Sequence, residues 1–110
     1  ILIKGGSHLE TSARIDIICF DKTGTLTVGK PSVTDLLTST THESPGKAPL
    51  TPMATELLQT CAALESKSEH PLATAIVSAA RSLKLTLPEA ATFQATAGKG
   101  AEAEIGGARY

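Results

Sequence analysis

Apolar positions along the chain pass from a continuous run, through an alternating stretch, to a helical period, and each change marks an element. Ile15-Asp16-Ile17-Ile18-Cys19-Phe20 is a short, nearly unbroken apolar run, and it predicts a buried parallel strand. Ser32–Leu37 alternates and predicts a second strand beyond the Gly29-Lys30-Pro31 turn. Residues 38–52 lose any period; Pro45, Gly46, Pro49 and Pro52 punctuate a Ser/Thr-rich run that reads as a mobile loop. The helical period sets in over Met53–Ser66, where Leu57, Leu58, Cys61, Ala62 and Leu64 form a stripe. It continues over Pro71–Leu83, with Pro71 in a favoured first-turn position and Leu72, Ala75, Ile76 and Ala79 at helical spacing. Phe93–Ala97 and Ala101–Ile105 predict short strands joined through Gly98-Lys99-Gly100, and Gly106-Gly107 predicts a hairpin turn into another strand. Near the start, Ser7–Ala13 predicts a short helix with Ser7 as N-cap and Glu10 completing a capping box.

Composition narrows this picture. The chain has 110 residues, room for one small domain or pieces of two. Hydrophobic residues make up 41%, yet Phe20, Phe93 and Tyr110 are the whole aromatic set, so the core must be built from Leu, Ile, Val and Ala. The net charge of −1 is spread without a long charge run, which gives no footing for a polyanion such as nucleic acid. Cys19 and Cys61 sit in apolar segments and read as buried free thiols. No apolar stretch approaches the roughly 20 residues that span a bilayer. The abrupt opening and the break after a fresh turn at Gly106-Gly107 read as a fragment of a longer protein.

The chemistry concentrates where the first apolar run ends. Asp21-Lys22-Thr23-Gly24-Thr25-Leu26-Thr27 places a carboxylate at the C-terminal end of a predicted strand, where open α/β sheets hold their ligands. Gly24 permits a tight turn, the threonines supply hydroxyls, and Lys22 adds a positive charge. Such a carboxylate suits attack on a phosphoryl group. The competing reading is a plain Asp-Lys-Thr-Gly turn whose hydroxyls satisfy backbone groups.

A second constellation lies downstream. In Ser68-Glu69-His70-Pro71-Leu72, His70 directly precedes a predicted helix, whose N-terminus carries unsatisfied N–H groups and partial positive charge. Its ring could stack on a purine. Glu65, near the end of the preceding helix, could accept from an exocyclic amine. Gly98 and Gly100 flank Lys99 in a turn that a ligand could approach closely. Read singly, SEHP is a capped helix start and GKG a hairpin turn. The GxxxxGK[ST] phosphate loop is absent.

The string DKTGTLT resembles the phosphorylation signature of P-type ATPases, ion pumps whose catalytic core has the haloacid-dehalogenase fold. With SEHPL and the Gly-x-Gly downstream, the resemblance is to the heavy-metal (type IB) branch. It implies that Asp21 takes the γ-phosphate of ATP and that Thr23 contributes to phosphate and Mg. It further implies that Glu65, His70, Gly98 and Gly100 line the nucleotide pocket, with His70 orienting the adenine. Leu2-Ile3-Lys4-Gly5-Gly6 resembles the end of the last core membrane helix and its stalk. Related phosphatases carry a second Asp where this chain has Thr23; threonine cannot shuttle that proton, so an acyl phosphate here should last longer.

The fold class implied is α/β: the start of a Rossmann-like phosphorylation domain, then part of an α+β nucleotide-binding domain with antiparallel sheet. Residues 1–14 would be stalk, 15–32 the phosphorylation segment, and 33–110 the nucleotide-binding part, with 38–52 a variable loop. The implied function is ATP-driven export of a heavy-metal cation through an aspartyl phosphate. The character of LIKGGSHLE and DKTGTLTVGKP leans toward zinc, cadmium or cobalt over copper or silver. A soluble phosphatase and a non-catalytic nucleotide-binding module are the competing functions. The implied partners are ATP with Mg, the metal cargo and, through helices outside this chain, a membrane; the expected place is the cytoplasmic side. TGD and GDGxNDxP are missing from the sequence, so the segment alone is expected neither to fold fully nor to turn over ATP.

Overall fold

The structure, a computed structural model, describes residues 2–110. Its organising element is helix α2 (Pro52–Glu65), which packs against helix α3 (Pro71–Ser82) on one side and a three-stranded sheet on the other. The residue types explain its position. Ala54, Leu58 and Ala62 recur at a spacing of one turn and are buried toward α3, while the adjacent Ala63 is buried toward the sheet. Small side chains let both neighbours approach closely. α2 starts where Thr51 caps it: Ala54 N–H donates to Thr51 Oγ1 at 3.3 Å, and Pro52 fills the first turn.

The sheet is antiparallel, in the order β3 (Ala90–Thr96), β4 (Gly100–Ile105), β5 (Ala108–Arg109). Gly106-Gly107 forms the turn between β4 and β5, as its sequence predicts, with positive φ at both residues. A bulge between Ala91 and Gln94 interrupts β3, with Thr92 at φ 49°. Beside it, Phe93 packs with Leu64 against Ala63, Ala90, Ala103 and Ile105. A two-stranded hairpin of β1 (Leu36–Leu37) and β2 (His42–Glu43) lies against α2, and Leu36 is buried there.

Several expectations are corrected. Residues 15–20 form no strand: they run without regular structure, with Ile17 80% and Phe20 63% exposed. A buried parallel strand needs partners on both edges and cover on both faces. Among the described residues the sheets are antiparallel and pair within themselves. Cys19 is therefore exposed rather than buried, and Cys61 is half-buried. Helix α1 (Gly6–Ser12) starts after Gly5, so Ser7 lies inside it and makes no capping bond. The strand expected over Ser32–Leu37 contracts to Leu36–Leu37. On α3 the fully buried residues are Ala73, Val77 and Ala80; of the expected stripe, Ile76 and Ala79 pack half-buried against the same core, whereas Leu72 is 57% exposed.

The polar run 38–52 is not a structureless loop: residues 38–43 complete the β1–β2 hairpin, and Glu43 ties the following turn to the start of α2. The Glu43 carboxylate accepts from Thr41 Oγ1 at 2.6 Å, from Thr51 Oγ1 at 2.7 Å and from Thr51 N–H at 2.7 Å. The hairpin is thereby tied to the residue that caps α2. These donors, Thr41 first and then Thr51, hold the Glu43 carboxyl below the usual carboxylate range. A depressed folded-state pKa contributes stability above the unfolded value, and that stability is lost as pH falls through the folded value. Thermal melts of wild type and Glu43→Gln at about pH 7 and about pH 3 test this. The loss of Tm on acidification should be smaller in the variant; equal losses would remove Glu43 from the tie.

With residues 2–28 extended from the packed body, the Cα radius of gyration is 20.8 Å, against about 13 Å for a compact chain of this size.

Candidate functional site

The extended arm carries the Asp21 turn. Lys22–Leu26 forms a wide turn closed by Thr27, whose N–H donates to the Lys22 carbonyl at 3.0 Å. The Thr27 hydroxyl donates to the same carbonyl at 3.3 Å and accepts from Gly24 N–H at 3.4 Å. Gly24 sits at φ 79°, which a side chain would resist. Asp21 precedes the turn in extended conformation, and its Oδ1 accepts from Lys22 N–H at 2.9 Å. The carboxylate is thus held by one backbone donor and is open to solvent, as are Lys22 and Thr23. Thr27 is the clasp of this loop, a role the sequence reading left among generic hydroxyls.

A second site forms where α2 ends, α3 begins and β3 turns into β4. Glu65, Ser68, His70, Leu72, Thr96, Gly98, Gly100 and their neighbours line a cleft of about 370 Å³. Glu65, His70, Gly98 and Gly100, separated by as many as thirty-five positions in sequence, line the same space. Each is placed by a different device. Glu65 ends α2. His70 caps α3 through its own ring: Leu72 N–H donates to His70 Nδ1 at 3.2 Å. Lys99 N–H donates to the Thr96 carbonyl at 3.0 Å and closes the β3–β4 turn. Gly98 and Gly100 take φ 72° and 123°, and no atom lies within 4 Å of where a Cβ would stand on either. Their backbone faces open space in the cleft, as close ligand approach requires.

Ser68 is the residue of this cleft that sequence reasoning passed over. Its N–H donates to the Glu65 carbonyl at 3.0 Å, and its Oγ accepts from His70 N–H at 3.3 Å. The Ser-x-His spacing immediately before a proline-started helix was the available signal.

The structure does not bring Asp21, Lys22 and Thr23 to this cleft; none of the principal contacts between elements involves their turn. A wider groove of about 750 Å³ runs between Gly29–Val33 and the outer face of α3. It contains none of the expected site residues and follows the seam where the arm leaves the body. No cluster of three or more His, Cys, Asp or Glu side chains exists among the described residues. Burial, with Glu65 one turn away adding to it, pushes the Cys61 thiol up and keeps it protonated. His42 is paired with Asp35 at 2.9 Å on the hairpin surface, and His8 lies exposed on α1. No helix among the described residues is long and apolar enough to cross a membrane.

Residues 15–108 match the haloacid dehalogenase-like hydrolase family, which takes in both the Asp21 turn and the cleft. The chain belongs to that family. Within it, the chain is 42% identical over 107 residues to a probable copper-exporting P-type ATPase V of Mycobacterium tuberculosis (strain CDC 1551 / Oshkosh), covering 97% of this chain and 13% of that protein. It is 44% identical over 108 residues to a zinc/cadmium/lead-transporting P-type ATPase of Escherichia coli (strain K12), covering 98% and 13%. Among solved structures, a zinc-transporting PIB-type ATPase in its E2.Pi state superposes with a TM-score of 0.69 at 43% identity, over 98% of this chain and 16% of that one. This haloacid dehalogenase-like chain thus corresponds to a segment of heavy-metal P-type ATPases and spans 13% of the length of the curated relatives above.

Proposed function

We propose that the chain is the ATP-handling segment of a heavy-metal export pump, binding the base of ATP in the Glu65–His70–Gly98–Gly100 cleft and accepting its γ-phosphate on Asp21. The convergence of those four residues on one cleft carries the reading. Residues 15–32 then begin a phosphorylation domain and residues 33–110 form the first part of a nucleotide-binding domain. A carboxylate oxygen of Asp21 attacks the γ-phosphorus, the bond to the β–γ bridging oxygen breaks, ADP leaves, and an acyl phosphate remains. Lys22, its side chain beside that carboxylate in sequence and exposed, offers positive charge to the transferring group.

The oxygen donors here fit Mg. Asp21 offers a carboxylate and Thr23 a backbone carbonyl; one or two such groups with water and substrate phosphate satisfy that hard cation. When bound, Mg neutralises charge on the phosphoryl oxygens. Thr23 offers no proton-shuttling carboxylate, so the phosphoenzyme persists through a conformational step. Base and phosphate are held by segments that do not pack together here, so transfer requires the arm and the cleft to approach.

For the cargo, the LIKGGSHLE and DKTGTLTVGKP strings support zinc, cadmium or cobalt. The 42% identity to a copper exporter supports Cu(I) as the second reading. Acid-stable phosphoenzyme formation by the full-length protein tests both. With labelled ATP and Mg, label should appear with Zn or Cd and stay at background with Cu(I). The reverse pattern would assign copper, and no label under any metal would overturn the pump.

A further inference from the structure

The cap on α3 fixes more than the helix start. Leu72 N–H donates to His70 Nδ1 at 3.2 Å, so that nitrogen carries a lone pair and the ring proton resides on Nε2. Ser68 Oγ accepts from His70 N–H at 3.3 Å, while Ser68 N–H donates to the Glu65 carbonyl at 3.0 Å. One serine thus joins the two cleft residues that flank the nucleotide base in the reading above. Pro71 follows, and its fixed φ removes the remaining backbone freedom on the far side of the ring.

We propose that His70 serves nucleotide binding only as the neutral imidazole with its proton on Nε2, and that Ser68 is the positioning residue that holds it so. The inference rests on the proposed nucleotide cleft and adds the ring's protonation state, its donor and its support. In this form His70 offers an aromatic face and one N–H donor, so the ligand must present a planar ring and a hydrogen-bond acceptor to it. Protonation would place a hydrogen on Nδ1 facing the Leu72 N–H, donor against donor. The ring would have to swing away, and the cap would be lost with the base contact. The charged groups on the surrounding segments are Glu65 at the end of α2, Lys67 and Glu69 in the loop before α3 and Lys99 in the β3–β4 turn. None of them shares a hydrogen bond with the ring, whose partner is the backbone amide. Affinity therefore requires the neutral ring and is lost once Nδ1 gains a proton, because the Leu72 N–H then has no acceptor there.

The test is ATP affinity of the full-length protein between about pH 8 and about pH 5, read by displacement of a fluorescent adenine nucleotide. Wild type, His70→Asn, Ser68→Ala and Ser68→Thr are compared. Asparagine still caps a helix but neither titrates in that range nor stacks. The wild type should lose about tenfold or more in affinity across the range, beyond the change in His70→Asn, which carries any titration of ATP itself. Ser68→Ala should weaken binding severalfold at the alkaline end and Ser68→Thr should restore it. A wild-type profile parallel to that of His70→Asn would overturn the neutral-ring requirement, with nucleotide binding still standing. Equal affinity in Ser68→Ala and wild type would overturn the positioning role. No ATP binding by the wild type at any pH would overturn the nucleotide reading and this inference with it.

Discussion

Asp21→Asn in the full-length protein is expected to abolish acid-stable phosphorylation from ATP, a loss of at least about 10⁴-fold, the scale on which removal of a nucleophile is felt. The substitution changes the chemistry and little else. Asparagine keeps the volume and an Oδ1 that can accept from Lys22 N–H, so the turn closed by Thr27 has no reason to reorganise. What disappears is the anionic oxygen proposed to attack phosphorus. The cleft of Glu65, His70, Gly98 and Gly100 lies in another segment, so ATP affinity should stay within about twofold of wild type, as expected for distant independent sites. Measuring label and nucleotide affinity on the same preparation separates the functions at issue. A pump loses label and keeps affinity. A non-catalytic nucleotide module never carries label, and a soluble phosphatase would carry it only fleetingly. Label that survives Asp21→Asn would place the acceptor elsewhere and remove the phosphoryl-transfer role from this turn.

What could be read in advance depended on how local the physics is. The start of α3 follows from a short-range signal, His70-Pro71, and the α2 and α3 boundaries fall within a residue or so of expectation, although the Thr51-Pro52 cap of α2 lies in the run that reads as loop. The hairpin at Gly106-Gly107 is equally local. The exposure of Leu72 and burial of Ala73 at the start of α3 were not legible, because both are apolar and only the partner surface decides which turns inward. Against Ala54, Leu58 and Ala62 of α2 it is Val77 and Ala80 that are buried, with Ile76 and Ala79 half-buried beside them, and Leu72 is left at the cleft. The Ile15–Phe20 run failed for the opposite reason. Its pattern states what the segment would need, but burial of a parallel strand is a property of its neighbours, and no described residue supplies them. In the cleft, the residue types pointed to Glu65, His70, Gly98 and Gly100, while Ser68 acts through two bonds to backbone groups, for which the Ser-x-His spacing was the single local signal.

Leu58→Ala should be the most damaging single truncation in the packed body, costing about 2–5 kcal/mol. Leu58 is 1% exposed and is the largest fully buried side chain among the described residues. It shares its cluster with Leu36 from the hairpin and Val77 from α3, so its loss loosens three elements at once. The remaining buried neighbours, Ala54, Ala62 and Ala80, carry only methyl groups on helical backbone. They cannot reach across to refill the space, so the cost within that range depends on how far the half-buried Leu50, Ile76, Leu83, Leu85 and Leu87 around the cluster can move in. Against a typical domain stability of about 5–15 kcal/mol, this is a large share of the total, and Tm should fall by about 10–30 °C. Leu37→Ala, one residue from Leu36 but 70% exposed, serves as control and should change stability by less than about 0.5 kcal/mol. Thermal and urea unfolding of both variants decides the matter. The consequence reaches the cleft, because α2 carries Glu65 at its end and Ala63 against the sheet whose β3–β4 turn holds Gly98. Leu58→Ala should therefore weaken ATP binding well before it unfolds the protein, whereas Leu37→Ala should leave binding unchanged. Equal stability of the two variants would mean that α2 is not the element on which the body and its cleft are built.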